Sequence, residues 1–350
     1  MWIHDLIEWW WVPQNPDFPP WRKVHHRPIL AAKPIIVAPH YLLIPEHSSS
    51  EMNTYMKHAW TWIFEGGFQK WMDRAFPHMK GPVNVKDLFL EAQSAGCHWA
   101  LHLWSTRKDV NIVAMYLQYP MVDGYARTYD QEYRGRTFDR TSLHELALRI
   151  LADVALWRLE NPNQQQIGRT PPAGMGNLPY TATRTEVRIA GRSVIVSLWW
   201  LLFRGPSMKD YLEHWKTGSF PPIKDQRHAV TVTISPALIR VAVGDNLEFL
   251  GCKWNDELKA LECEVEYTPI PKPEYVPRIF SNHGNEDVNC PVTDTAEFIS
   301  SLQQLFPGGL VRDEDNIIVE DETPGYDNYM GAREQMSKIV SHLGWNPMVS

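Results

Sequence analysis

Val85-Lys86-Asp87-Leu88-Phe89-Leu90-Glu91-Ala92-Gln93-Ser94-Ala95-Gly96-Cys97-His98-Trp99-Ala100 is the stretch on which the reading of this chain turns. Apolar Leu88, Phe89 and Leu90 predict a short buried strand. Ser94 follows between small residues, and His98-Trp99-Ala100-Leu101-His102-Leu103-Trp104 predicts a helix. Strand, tight turn with serine, helix is the layout of a nucleophile elbow. Small neighbours are needed because strand and helix backbones come close at so sharp a turn. On such a turn the Ser94 hydroxyl stands above the sheet, and the Ala95 amide can donate to a developing oxyanion. The usual form is G-x-S-x-G, and this chain has Ala92-Gln93-Ser94-Ala95-Gly96. The same run also suits a plain turn or helix cap, so the rest of the chain has to decide.

Composition sets the outer bounds. The chain has 350 residues, 44% hydrophobic and 21% charged, which suits one large domain or two small ones. A net charge of −7 gives no electrostatic footprint for nucleic acid or an anionic membrane. Sixteen tryptophans fit a large apolar pocket and equally fit plain packing. Cys97, Cys252, Cys263 and Cys290 form no C-x-x-C pair and no zinc pattern, so neither metal nor cofactor is expected. They predict free thiols in a reducing compartment, although Cys252 and Cys263 could pair in a secreted chain. The longest apolar run, Val194 to Phe203, is too short to span a membrane. Asp5 and Glu8 stand where a signal peptide would carry basic residues, so a cytoplasmic protein is expected.

Around the central stretch, strands and helices alternate. Ile35-Ile36-Val37-Ala38 predicts a buried parallel-type strand. Ser48 to Ser50 can cap a helix carrying Met52, Tyr55, Met56, Ala59, Trp60 and Ile63 on one face, which Gly66-Gly67 interrupts. Asn111 to Tyr119 predicts another strand. Arg278 to His283 is a further short strand, followed by a helix from Thr293 to Phe306. Ile317-Ile318-Val319 is a last strand, and Gly331 to Leu343 a terminal helix. This order predicts parallel βαβ units with helices on both faces and a site at the C-terminal strand ends. Between these parts, 124–223 reads as a cap-like insertion over the sheet. Residues 224–276 read as an extra β-like, Pro-rich insertion of unknown status. The core would then be 1–123 with 277–350.

Several motifs in order resemble the α/β-hydrolase superfamily, in its hormone-sensitive-lipase-like esterase branch and its diverged fungal members. Tyr41-Leu42-Leu43-Ile44-Pro45-Glu46-His47 is similar to Y-R-L-A-P-E-H, and Gln93-Ser94-Ala95-Gly96-Cys97 to D-S-A-G-G. Tyr119-Pro120-Met121-Val122-Asp123 resembles Y-P-x-x-D. His283-Gly284-Asn285-Glu286-Asp287-Val288-Asn289-Cys290-Pro291-Val292 resembles H-G-x-x-D-x-x-V-P, whose Asp is the triad acid. Trp2-Ile3-His4-Asp5-Leu6 sits where the family has the strand entering H-G-G-G, so the leading strands would be missing. A late start and a retained intervening sequence at 224–276 are one expectation from this. The resemblance implies Ser94 as nucleophile, Asp287 as triad acid, and Gln93, Ala95 and Gly96 as its elbow. It places His4, Asp5 and Leu6 at the oxyanion strand.

The departures bear on chemistry. Asp5 and Leu6 replace two glycines whose amides approach the oxyanion, and a carboxylate there opposes negative charge. At the base position Pro324-Gly325-Tyr326-Asp327 offers Asp327 where the family has histidine. An exposed Asp with an ordinary pKa near 4 is a weak base for a serine hydroxyl. His40, His47 and His98 could supply an imidazole, while His283 reads as a structural turn histidine. Three readings stay open. One is a serine esterase or lipase-like hydrolase of a small hydrophobic ester in secondary metabolism. Another is a non-hydrolytic cyclase, lyase or dehydratase on the same fold, and the third an inactive binding protein.

Overall fold

The computed structural model describes residues 2–3, 35–37, 39, 49–78, 81–85, 87–122, 207–220, 230–231, 252–255, 260–263, 269–285, 287, 290, 292–319 and 329–344. Their centre is β2 (Asp87–Gln93), whose burial deepens from exposed Asp87 to buried Ala92 and Gln93. On one side it pairs with β1 (Trp2–Ile3), on the other with β3 (Asn111–Gln118). β3 then pairs with β7 (Arg278–Gly284), and β7 with β8 (Val311–Val319). Every pairing in this five-stranded sheet is parallel, so all its C-terminal ends lie along one edge. The chain is a mixed α/β protein, as the alternation of elements predicts.

Helices join and cover the sheet. α1 (Ser49–Phe64) buries Met52, Met56, Trp60 and Ile63 at helical spacing, whereas Tyr55, expected on the same face, is exposed and Ala59 half-buried. It stops at Gly66, whose φ of 94° is a left-handed turn that glycine adopts without strain. Gly67 then opens α2 (Gly67–Ala75), and a Cβ there would stand 2.3 Å from the Trp62 ring. α3 (Gly96–Thr106) leads from β2 to β3 and is buried along nearly its whole length. α5 (Val292–Leu305) leads from β7 to β8. Both connections move the same way across the sheet, so right-handed crossovers put α3 and α5 on one face. α4 (Met208–Thr217) touches both. A Ser207–Asp210 capping box starts it and Gly218 ends it. α4 lies inside the span read as an insertion, yet it packs within the helical layer of the sheet.

On the opposite face, α6 (Tyr329–His342) sets Met336 and Ile339 against Ala114, Tyr116 and Phe280. Residues of the other parity, Met115, Leu117 and Ile279, are equally buried, as a sheet covered on both faces requires. A second, antiparallel sheet has the order β4-β6-β5, from β4 (Val230–Thr231), β5 (Cys252–Asn255) and β6 (Ala260–Cys263).

One expectation is corrected. Ile35, Ile36 and Val37 form no strand, and Ile35 and Ile36 are 45% and 51% exposed. A parallel strand is buried only when a ladder partner and two covered faces are supplied.

Candidate functional site

β2 ends at Gln93 and α3 begins at Gly96, so the chain reverses through two residues, Ser94 and Ala95. Ser94 has φ of 47°, a left-handed conformation rare outside glycine. Such a residue costs roughly 1–3 kcal/mol and persists only where its surroundings over-determine it. They do here. Ser94 N–H donates to the Gln118 carbonyl at 3.0 Å, and Met121 N–H donates to the Ser94 carbonyl at 3.1 Å. Cys97 N–H also donates to the Ser94 carbonyl, at 3.1 Å, tying it to the first turn of α3.

The partner turn is itself strained. Tyr119 has φ of 37°, and its N–H donates to the Asn282 carbonyl at 2.9 Å. Its hydroxyl donates to Gln93 Oε1 at 3.2 Å. Three neighbouring strand ends, those of β2, β3 and β7, are therefore stitched together around Ser94. Below them runs a buried polar belt. Gln118 Nε2 donates to Glu91 Oε1 at 3.1 Å, and the Tyr116 hydroxyl to Asn282 Oδ1 at 3.0 Å. Burial first, and the Glu91 charge second, push the Tyr116 phenol well above its usual pKa.

Asp287 and Cys290 come from the segment after β7. Asp287 is buried, and its Oδ1 accepts from Cys290 N–H at 2.9 Å. Cys290 Sγ lies 4.0 Å from Ser94 Oγ. The structure thus brings Ser94 and Asp287 to one place, bridged by Cys290. Cysteine spacing gave no signal for this contact. Gln93, Ala95 and Gly96 are buried beneath the turn. Asp327, His4, Asp5 and Leu6 lie outside the described residues, as do His40 and His47.

No imidazole among the described residues hydrogen-bonds Ser94 Oγ. His283 is the nearest in sequence to Asp287, with Nε2 3.6 Å from Asp287 Oδ2. Its Nε2–H also donates to the Cys290 carbonyl, and its Nδ1 meets the Thr295 hydroxyl at 2.8 Å. Both ring nitrogens are committed, so this histidine braces the Asp287 turn, in line with a structural role. His98 is buried in α3 with its ring edge-on to Trp99. Burial, helped by His102, lowers it to about 3, and burial with Lys57 nearby lowers His102 to about 4. Among the described residues no cluster of His, Cys, Asp and Glu is arranged to hold a metal ion.

The strain at Ser94 makes a prediction. Ser94→Gly removes the hydroxyl and the left-handed penalty together, while Ser94→Ala removes only the hydroxyl. The glycine variant should therefore be about 1 kcal/mol more stable than the alanine variant, despite glycine's greater freedom when unfolded. Urea midpoints of the two variants measure this, and an alanine variant at least as stable would mean that Ser94 carries no strain.

No family model and no curated protein matches the chain. One solved structure with some likeness is a "putative hydrolase" from Legionella pneumophila, at 9% sequence identity and a TM-score of 0.27. The alignment covers 81% of this chain and 61% of that one. So faint a likeness assigns neither fold nor activity.

Proposed function

We propose that the chain is a diverged α/β-hydrolase-fold enzyme that cleaves a small hydrophobic ester. The observation that carries this reading is the left-handed Ser94, held between a parallel strand and a buried helix at the C-terminal edge of the sheet. Buried Asp287 on the neighbouring turn supports it. In this reading Ser94 Oγ attacks the ester carbonyl carbon and the alcohol leaves with a proton, giving an acyl-serine that water hydrolyses. The Ala95 amide at the start of α3 donates to the oxyanion. Asp287 takes the place of the triad acid, and Asp327, a weak base, stands where the family has histidine. Residues 1–123 and 277–350 form the core in this proposal, joined by α4; the rest of 124–223 is a cap and 224–276 a further insertion.

A second reading, a non-hydrolytic enzyme or a binding protein on the same fold, is favoured by one observation. Ser94 Oγ has a thiol, not an imidazole, as its described neighbour. Fluorophosphonate labelling separates the two. A hydrolase should be modified at Ser94, with labelling lost in Ser94→Ala and in the heat-denatured chain. Equal labelling of wild type and Ser94→Ala would remove the serine-hydrolase reading. Removing one triad member typically leaves about 10³–10⁴-fold over the uncatalysed rate, so a weak base predicts slow labelling rather than none.

A further inference from the structure

β5 and β6 run antiparallel with Cys252 directly opposite Cys263. The next rungs place Lys253 opposite Glu262 and Trp254 opposite Leu261. The last rung sets Asn255 opposite Ala260. A slip of one residue would take Cys252 off Cys263 and put it on a neighbouring position. Facing Cα atoms in such a ladder stand about 4.5–5.5 Å apart. A disulfide needs roughly 4.4–6.8 Å between Cα atoms. The other two cysteines, Cys97 and Cys290, are buried thiols outside any disulfide at the parallel sheet, one near Gln118 and one near Ser94.

We propose that Cys252 and Cys263 are a redox-modification site, closing a reversible cross-strand disulfide by exchange with a small disulfide such as oxidised glutathione. The thiolate of one cysteine attacks a sulfur of the small disulfide and releases one small thiolate. The second cysteine's thiolate attacks the protein sulfur of that mixed disulfide and releases the other. Two protein thiols are oxidised, one small disulfide is reduced to two thiols, and the two cysteine protons end on those thiols. The product fastens β5 to β6 in a sheet whose described strands are two to four residues long. It needs no activity at Ser94 and stands apart from the function proposed above.

The test equilibrates the full chain with mixtures of reduced and oxidised glutathione, blocks free thiols with N-ethylmaleimide, and maps linked peptides by mass spectrometry. The expected result is a Cys252–Cys263 linkage, with Cys97 and Cys290 still reduced. Folding holds the two positions together, so the native chain should retain the linkage at about tenfold more reduced glutathione than the urea-unfolded chain. A register control, Cys252→Ser with Lys253→Cys, moves one cysteine off its rung and should lose that preference. The proposal is overturned if native and unfolded chains oxidise alike, if the linkage involves Cys97 or Cys290, or if the displaced cysteine closes equally well.

Discussion

Between pH 6.5 and pH 4 the folded chain should lose about 5 kcal/mol of stability through His98 and His102 on α3. An unfolded histidine titrates near 6.5, whereas burial holds these rings at about 3 and about 4 in the folded chain. Between those values the unfolded chain binds protons that the folded chain refuses. Acid therefore draws the equilibrium toward unfolding, at up to about 1.4 kcal/mol per pH unit for each ring. Above pH 6.5 the contribution is fully present, and it drains away as pH falls toward the folded values. The groups around the rings reinforce the effect. His102 opposes protonation of His98, Lys57 opposes protonation of His102, and Trp99 stands edge-on to both rings. Urea midpoints taken from neutral pH down to about 4 measure the slope, and His98→Phe with His102→Leu should flatten it. A double variant that loses stability as steeply as wild type would mean that both rings accept protons while folded. The same burial bears on chemistry. A ring held at about 3 is neutral at pH 7 but a very weak base, which sets His98 aside as the partner of Ser94.

What could be read from the sequence follows from how local each signal is. Asp87–Gln93, Gly96–Thr106 and Asn111–Gln118 each carry their own apolar pattern, so strand, helix and strand stand close to where spacing predicts them. The terminal helix was expected from Gly331 to Leu343 and is observed as Tyr329–His342, a shift of cap residues only. Ile35 to Val37 form no strand because an apolar run states a wish for burial and not the presence of a partner. Ile317 to Val319 was recognised as strand, but β8 begins at Val311, through the charged run Arg312 to Asp315. Charges on an edge strand hide it from a hydrophobic pattern and also protect it from pairing with other chains. The register shift between Ile279 and Ser281 marks where that charged run loops away from β7.

At the site, Ser94 was legible because a strand and a helix frame it. Its left-handed φ was not, since a serine there scores as an ordinary turn. Tyr119 was still less legible. A residue before proline is expected to be extended, yet Tyr119 has φ of 37° because Asn282, Gln93 and the Ser94 backbone all engage its turn. Those partners lie 26 and 163 positions or so away in the chain, and no local pattern announces them. Cys290 was invisible for the same reason, since its proximity to Ser94 spans 196 positions.

Asp315→Ala should cost about 3–5 kcal/mol, because it leaves the Arg278 charge without its partner in a mostly buried setting. Asp315 has no exposed side chain, and Arg278 is 17% exposed. The guanidinium binds the carboxylate through two parallel bonds, Nε to Oδ2 at 2.7 Å and Nη2 to Oδ1 at 2.9 Å. Around this pair the fold is knotted together. Arg278 lies over the Phe280 ring and Nη1 donates to His342 Nδ1 at 3.3 Å, which ties α6 to the start of β7. Gln335 Nε2 donates to the Asp315 carbonyl at 2.6 Å and to the Ser281 carbonyl at 2.9 Å, joining α6 to both β7 and β8. Two causes could make the pair costly to break, and they differ in outcome. If the pair itself stabilises the fold, replacing both partners by Arg278→Met with Asp315→Leu should be as damaging as the single change. If the cost is an orphaned charge, the double replacement should recover most of the loss, since desolvating two ions offsets much of their attraction. The second outcome is expected, because the carboxylate is fully buried and must be stripped of water. Chemical denaturation of wild type, both single variants and the double variant closes the cycle. A loss below about 1 kcal/mol in Asp315→Ala would place this pair with exposed salt bridges.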